Sequence, residues 1–113
     1  MPFINSMTNI KMNEEQKEKV KSELGKAMAS IGKPESYLMV NIKDECSLYF
    51  GGDGKTPCAM LEVTILGQGS REKFTKVTEM ICDTYKSVLG IEKNRIYVRY
   101  AETEHWGYNG SNF

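Results

Sequence analysis

The strongest constraint on the fold is punctuation repeated at a fixed spacing. Two helix-start signals, Asn13 and Ser70, lie 57 residues apart, and two helix-ending glycines, Gly32 and Gly90, lie 58 apart. Asn13 followed by Gln16 is a capping-box pattern, and Glu14 and Glu15 place negative charge in the first turn, where the helix dipole favours it. Val20, Leu24, Ala27, Met28 and Ile31 recur at spacings of three and four, and Phe74, Val77, Ile81, Tyr85 and Val88 do so in the second half. Each set predicts one buried stripe on a helix. Pro34 stops the first helix from resuming.

Strands flank both helices. Residues 2–8 read as a short strand with weak alternation. Tyr37 to Lys43 is the next, with Leu38, Val40 and Ile42 on one face. Cys46 to Phe50 reads as a short strand, and residues 51–56 as a plain glycine-rich turn without the Walker pattern. In residues 58–66, Ala59, Leu61, Val63 and Ile65 form a fully apolar face. Arg95 to Ala101 is the last strand, and Glu102 to Phe113 is a tail.

Each half is therefore strand, helix, strand, a unit that normally makes a right-handed crossover between parallel strands. Two such units predict one α/β domain over residues 1–113, a four-stranded mixed sheet with both helices on one face. The other face would carry Tyr37, Met39, Met60, Leu66, Tyr97 and Arg99. That mixture is too apolar to leave wet, and its open edges are uncomfortable in a monomer, so subunit association is expected to cover it.

Composition removes several function classes. Fifteen basic and fifteen acidic residues cancel, which leaves no electrostatic footprint for nucleic acid or an acidic membrane surface. No apolar run approaches the roughly 20 residues of a membrane span. A signal-peptide pattern is not seen at the N-terminus. Cys46, Cys58 and Cys82 are odd in number with no close pair, which points to a reducing, cytoplasmic compartment rather than a disulfide framework. One histidine and three scattered cysteines do not suggest a zinc site, and no cofactor is expected.

Met1-Pro2 carries the chemistry. Loss of the methionine would leave Pro2 as a free secondary amine, a basic nitrogen on a rigid ring. Partial burial beside a cation would disfavour its charged form and lower its pKa, leaving a neutral general base near pH 7. The plain alternative is a start-site accident followed by a frayed terminus.

The whole chain closely resembles the macrophage migration inhibitory factor family of the tautomerase superfamily. The motifs are Met1-Pro2, Thr8-Asn9, Gly32-Lys33-Pro34 with Tyr37, Phe50-Gly51-Gly52, Pro57-Cys58-Ala59, Leu66-Gly67, Arg95-Ile96-Tyr97-Val98, and Gly110-Ser111 with Phe113. Each is short, and their order and spacing are specific together. The resemblance implies a homotrimer with active sites between neighbouring subunits. It implies keto–enol tautomerisation of phenylpyruvate-like compounds, small aromatic 2-keto acids, and of dopachrome derivatives. It also implies a rival reading: a cytokine-like ligand, exported without a signal peptide, that binds a cell-surface receptor while its catalysis is vestigial.

Residue by residue, Pro2 matches the family's catalytic base, and Lys33 a cation that holds the substrate carboxylate and depresses the Pro2 pKa. A solvated lysine at a helix C-terminus is the simpler account of Lys33. Leu66 stands where the family usually has isoleucine. Tyr97 matches a tyrosine from the adjacent subunit, or is an ordinary strand aromatic; Tyr37 lines the pocket or merely packs. Arg99 replaces a common asparagine. On the strand reading it shares a face with Tyr97, so that both reach one site, where it would hold a carboxylate by two bonds; equally, it lines a trimer channel. Trp106 and Tyr108 stand where the family has one valine and one tryptophan, so with Phe113 the aromatic wall is expected to be built differently. His105 reads as a surface residue. The family's Cys-x-x-Cys pair is broken, with Leu61 three residues after Cys58, which removes a two-cysteine redox cycle.

Overall fold

The computed structural model describes residues 1–113. Strand β1 spans Pro2–Thr8, helix α1 Glu14–Ala29, β2 Met39–Lys43, β3 Ala59–Leu66, α2 Arg71–Leu89 and β4 Ile96–Thr103. A two-stranded hairpin follows, β5 at Gly107–Tyr108 and β6 at Ser111–Asn112. The main sheet has the order β2-β1-β3-β4. β1 and β2 run parallel, as do β3 and β4, and the two pairs meet through the antiparallel β1–β3 ladder. This is the doubled strand–helix–strand sheet that the repeat predicts, and it is mixed as expected.

The caps form as the sequence dictates. Asn13 accepts from the Gln16 N–H at 2.8 Å, and the Gln16 side chain accepts from the Asn13 N–H at 3.0 Å. Ser70 accepts from the Lys73 N–H at 3.2 Å. Gly90 closes α2 at φ 70°, a left-handed conformation that costs glycine nothing. Both helices cover one sheet face. Ile4, Leu61, Val63 and Ile65 from the strands meet Val20, Leu24 and Met28 of α1 and Val77, Ile81 and Tyr85 of α2 in one buried cluster. Each large aliphatic side chain so buried contributes about 1.5–3 kcal/mol.

Two tyrosines of the core bring polar ends, and both are bonded. Tyr85 shares a 2.5 Å hydrogen bond with the hydroxyl of Ser6, across the helix–sheet interface. Tyr100 stacks on Phe74 at 4.4 Å, donates to the Phe74 carbonyl and accepts from Thr78.

Besides β3, which starts one residue later than read, at Ala59, four boundaries differ from the sequence reading. Tyr37 is not in a strand: residues Glu35–Tyr37 form a 3₁₀ turn, closed by the Leu38 N–H on the Glu35 carbonyl at 2.9 Å, and β2 starts at Met39. Tyr37 therefore leaves the sheet face assigned to it. Lys93–Arg95 form the matching turn in the second half, so β4 starts at Ile96. The strand starts read at Tyr37 and Arg95 are in fact the last residues of these two turns. Cys46 to Phe50 is not a strand. Glu45 adopts φ 52°, which breaks the extension of β2, and the Glu45 and Cys46 N–H groups then hook onto the carbonyls of Ile10 and Thr8. Finally, β4 runs on to Thr103, and the expected tail holds the small hairpin.

Burial pushes the Tyr85 hydroxyl up to about 12, while its bond to Ser6 opposes this in part. An unfolded tyrosine ionises near 10. Above that pH the unfolded chain binds fewer protons than the folded one, so stability is present below about 10 and is lost as pH rises toward about 12. Tyr85→Phe is expected to cost about 1–3 kcal/mol at neutral pH, because Ser6 loses its partner. It should also flatten the alkaline fall, as read by urea unfolding at neutral and alkaline pH.

Candidate active site

The antiparallel ladder places the start of the chain beside the end of β3. Pro2 pairs with Ile65, and the Leu66 N–H donates to the Met1 carbonyl at 3.0 Å. Pro2 is buried. Lys33 arrives at the same point from α1. Gly32, at φ 83°, turns the chain off the helix, with the Gly32 N–H on the Ala29 carbonyl and the Lys33 N–H on the Met28 carbonyl, both at 3.0 Å. This is the bond pattern of a Schellman cap. The Lys33 ammonium then reaches across to donate to the Leu66 carbonyl at 3.3 Å. Chain start, cation and the Leu66 peptide therefore share one corner.

A cavity of about 670 Å³ opens over that corner, lined by Met1, Pro2, Phe3, Tyr37, Met39, Thr64, Trp106 and Tyr108 among others. Its outer wall is the β5–β6 hairpin. Asn109 and Gly110 both have positive φ, 53° and 79°, as a two-residue type I′ turn requires. The hairpin brings Tyr108 edge-on to Tyr37 at 6.0 Å and stacks Phe113 on Tyr108 at 6.2 Å. The Phe113 N–H donates to the Trp106 carbonyl at 3.1 Å, which ties the chain end back to the wall.

Of the residues singled out in the sequence, Pro2, Tyr37, Trp106 and Tyr108 line this cavity. Phe113 stacks on the lining residue Tyr108, and Lys33 and Leu66, which do not line it, are joined to it through the Leu66–Met1 bond. Leu66 contributes through its peptide groups. Tyr97 and Arg99 lie elsewhere in the chain. Tyr97 packs against Phe50 at 4.9 Å over a smaller apolar cavity of about 260 Å³, whose lining includes Tyr49, Cys58 and Met60. Arg99 shares the Tyr97 face, as read, but pairs with Glu62 at 3.3 Å. Sequence reasoning missed Phe3 and Thr64 as lining residues. Their alternation with buried Ile4, Val63 and Ile65 was the available signal.

The profile of the family described as Macrophage migration inhibitory factor (MIF) matches residues 1–113. The chain belongs to the macrophage migration inhibitory factor family. It is 29% identical over its full length to the Xenopus laevis macrophage migration inhibitory factor, of which it covers 99%. It is 25% identical to the D-dopachrome decarboxylase-B of Xenopus laevis, with 98% of this chain and 96% of that protein aligned. The crystal structure of Leishmania major MIF2 superposes with a TM-score of 0.93 at 29% identity, covering 100% of this chain and 97% of that one.

In this MIF-family chain the corner is electrostatically tuned. The Met1 amine titrates below its ordinary value, first because it is partly desolvated and second because the Lys33 charge stands near it. Both effects favour a neutral amine. Lys33→Met is therefore expected to bring the Met1 amine only part of the way back toward its ordinary value, since burial remains. An NMR titration of the terminal amine in protein that retains Met1 would check this; an unmoved titration would show that Lys33 exerts no field there.

Proposed function

We propose that the protein is a cofactor-independent keto–enol tautomerase acting on phenylpyruvate-type 2-keto acids, with Pro2 as general base after Met1 is removed. The observation that carries this reading is the buried Pro2 at the base of an aromatic cavity, with Lys33 anchored beside it. Removal of Met1 has two local consequences. It turns the Pro2 nitrogen from an amide into a secondary amine, one residue deeper in a corner where even the Met1 amine is shifted down. It also takes away the carbonyl that accepts from the Leu66 N–H, leaving a backbone donor there.

The chemistry needs those groups. Lys33 and the freed Leu66 N–H bind the substrate carboxylate, a charge-assisted arrangement. The aromatic ring of the substrate lies against Tyr37, Trp106 and Tyr108. The Pro2 amine takes a proton from the carbon beside the ketone, and the proton returns at the oxygen to give the enol. Dopachrome-type compounds offer the same elements, a carboxylate and an acidic C–H, and the similarity to a D-dopachrome decarboxylase supports including them. The helix-free face of the sheet, where Met39 is 69% and Tyr97 62% exposed, is covered in this proposal by a homotrimer. That assembly would bring a neighbour's Tyr97 to the cavity.

Protein whose mass confirms loss of Met1 should tautomerise phenylpyruvate. Pro2→Ala should lower kcat by about 10²–10⁴-fold, the usual contribution of a positioned base. Lys33→Ala should raise KM and move the rising limb of the pH–rate profile to higher pH, because a nearby cation that disfavours the protonated amine is gone. No turnover by the correctly processed protein would remove the enzyme reading.

A further inference from the structure

Three places in the chain put an asparagine or aspartate directly before a glycine or serine: Asn5-Ser6, Asp53-Gly54 and Asn109-Gly110. This is the arrangement in which the next peptide nitrogen can attack the side-chain carbonyl carbon. The structure separates them sharply. Asn5 sits in the middle of β1, donates to Glu62 at 3.2 Å and accepts from Asn41 at 2.9 Å, so its amide is held on both sides within a sheet. The Asp53 carboxylate accepts from the Lys55 N–H at 2.8 Å and the Thr56 N–H at 3.1 Å, with Arg95 3.8 Å away. A side-chain bond from Thr56, first, and then those backbone bonds hold its pKa down to about 2, and an ionised carboxylate is a poor electrophile.

Asn109 is the opposite case. It is exposed, its side chain makes no hydrogen bond, and its hairpin neighbours from Gly107 to Phe113 are exposed as well. The hairpin strands are two residues each, so little resists local opening. Gly110 carries no side chain to hinder its nitrogen. We propose that Asn109-Gly110 is a self-modification site, and that its conversion disrupts the aromatic wall of the Pro2 cavity. Its consequence for catalysis rests on the tautomerase reading; the chemistry and the change in the wall do not.

The reaction balances with water alone. The Gly110 nitrogen gives up its proton and bonds to the Asn109 Cγ; the Cγ–Nδ2 bond breaks and ammonia leaves. Water then opens the five-membered imide at either carbonyl, giving aspartate or isoaspartate at position 109. Both products add a negative charge, and isoaspartate adds a methylene to the backbone of a turn that admits only two residues. The pairings Tyr108–Ser111 and Gly107–Asn112 then lose register. Tyr108 is the wall residue set against Tyr37, and Phe113 is stacked on it. A conversion at 109 thus loosens the wall and places a carboxylate near a cavity proposed to take an anion.

The experiment ages the full-length protein and Asn109→Gly side by side at neutral and mildly alkaline pH. Glycine keeps the positive φ of the turn and removes the amide. The expected result is a gain of one mass unit confined to the peptide containing Asn109, faster at the higher pH, with isoaspartate detected by methyltransferase labelling. Trp106, the sole tryptophan, should shift its emission to the red in the aged protein and not in Asn109→Gly. The aged protein should also show a several-fold higher KM for phenylpyruvate. Conversion at Asn5 ahead of Asn109, or no mass gain at Asn109, would overturn the site. Conversion with unchanged Trp106 emission would overturn its link to the wall. Absence of turnover in fresh protein would sink the tautomerase reading while leaving the mass and emission results to decide this one.

Discussion

The antiparallel pairing of β1 with β3 is the interaction on which the rest depends. Asn5 faces Glu62 in this ladder, and these residues are 57 apart, the same spacing that separates the two helix caps. Equivalent positions of the two repeats therefore meet at the centre of the sheet. An approximate two-fold axis passes through that pair, and it sends both helices to one face. It also fixes the ends: the start of β1 must lie beside the end of β3. Without this pairing Pro2 would belong to a frayed terminus. With it, Pro2 becomes a buried residue at a cavity floor.

The same pairing explains why the corner is electrostatically unusual. A chain terminus brings an amine, and amines normally sit in water. Here the backbone bond from Leu66 to Met1 holds the terminus against the sheet, and the Schellman cap of α1 aims Lys33 at the same peptide. Partial desolvation and then the like charge of Lys33 act in one direction on the amine. No catalytic residue type is needed for that tuning. The fold supplies it by closing a helix and ending a strand within reach of each other.

Sequence pattern revealed the elements whose signals are local and strong. The caps at Asn13 and Ser70, the two apolar stripes and the alternation in β3 all map onto the structure. It failed where a turn is made by backbone bonds with no distinctive residue. Nothing about Ser36 or Asn94 announces a 3₁₀ turn, yet both halves have one. Cys46 to Phe50 reads as a short strand in the sequence; the bonds that hold its start are to the carbonyls of Thr8 and Ile10, a long-range fact. For the candidate site, Pro2, Lys33 and Tyr37 were named through family motifs and Trp106 and Tyr108 as departures from them; Pro2, Tyr37, Trp106 and Tyr108 line one cavity, and Lys33 bonds the Leu66 carbonyl next to the Pro2 pairing. The role of the Leu66 peptide was not legible, since backbone donors leave no mark in a sequence.

The helix-free face shows how the two repeats have diverged under one geometry. Its side chains form cross-strand rows. Met39, Phe3, Thr64 and Ala101 make one; Lys43, Met7, Met60 and Tyr97 make another. Between them runs a polar row, Asn41, Asn5, Glu62 and Arg99, linked in that order by bonds of 2.9, 3.2 and 3.3 Å. A one-residue slip of any strand would send its member to the helix side, so the row helps to hold register. At its exposed end the Arg99–Glu62 pair adds little to stability. Its consequence is asymmetry: the first repeat supplies two amides where the second supplies a carboxylate and a guanidinium. An assembly that covered this face would meet amides on one side of the approximate axis and charges on the other. Desolvating those charges without partners would be costly, so packing that kept Arg99 and Glu62 paired or hydrated would be favoured over packing that separated them.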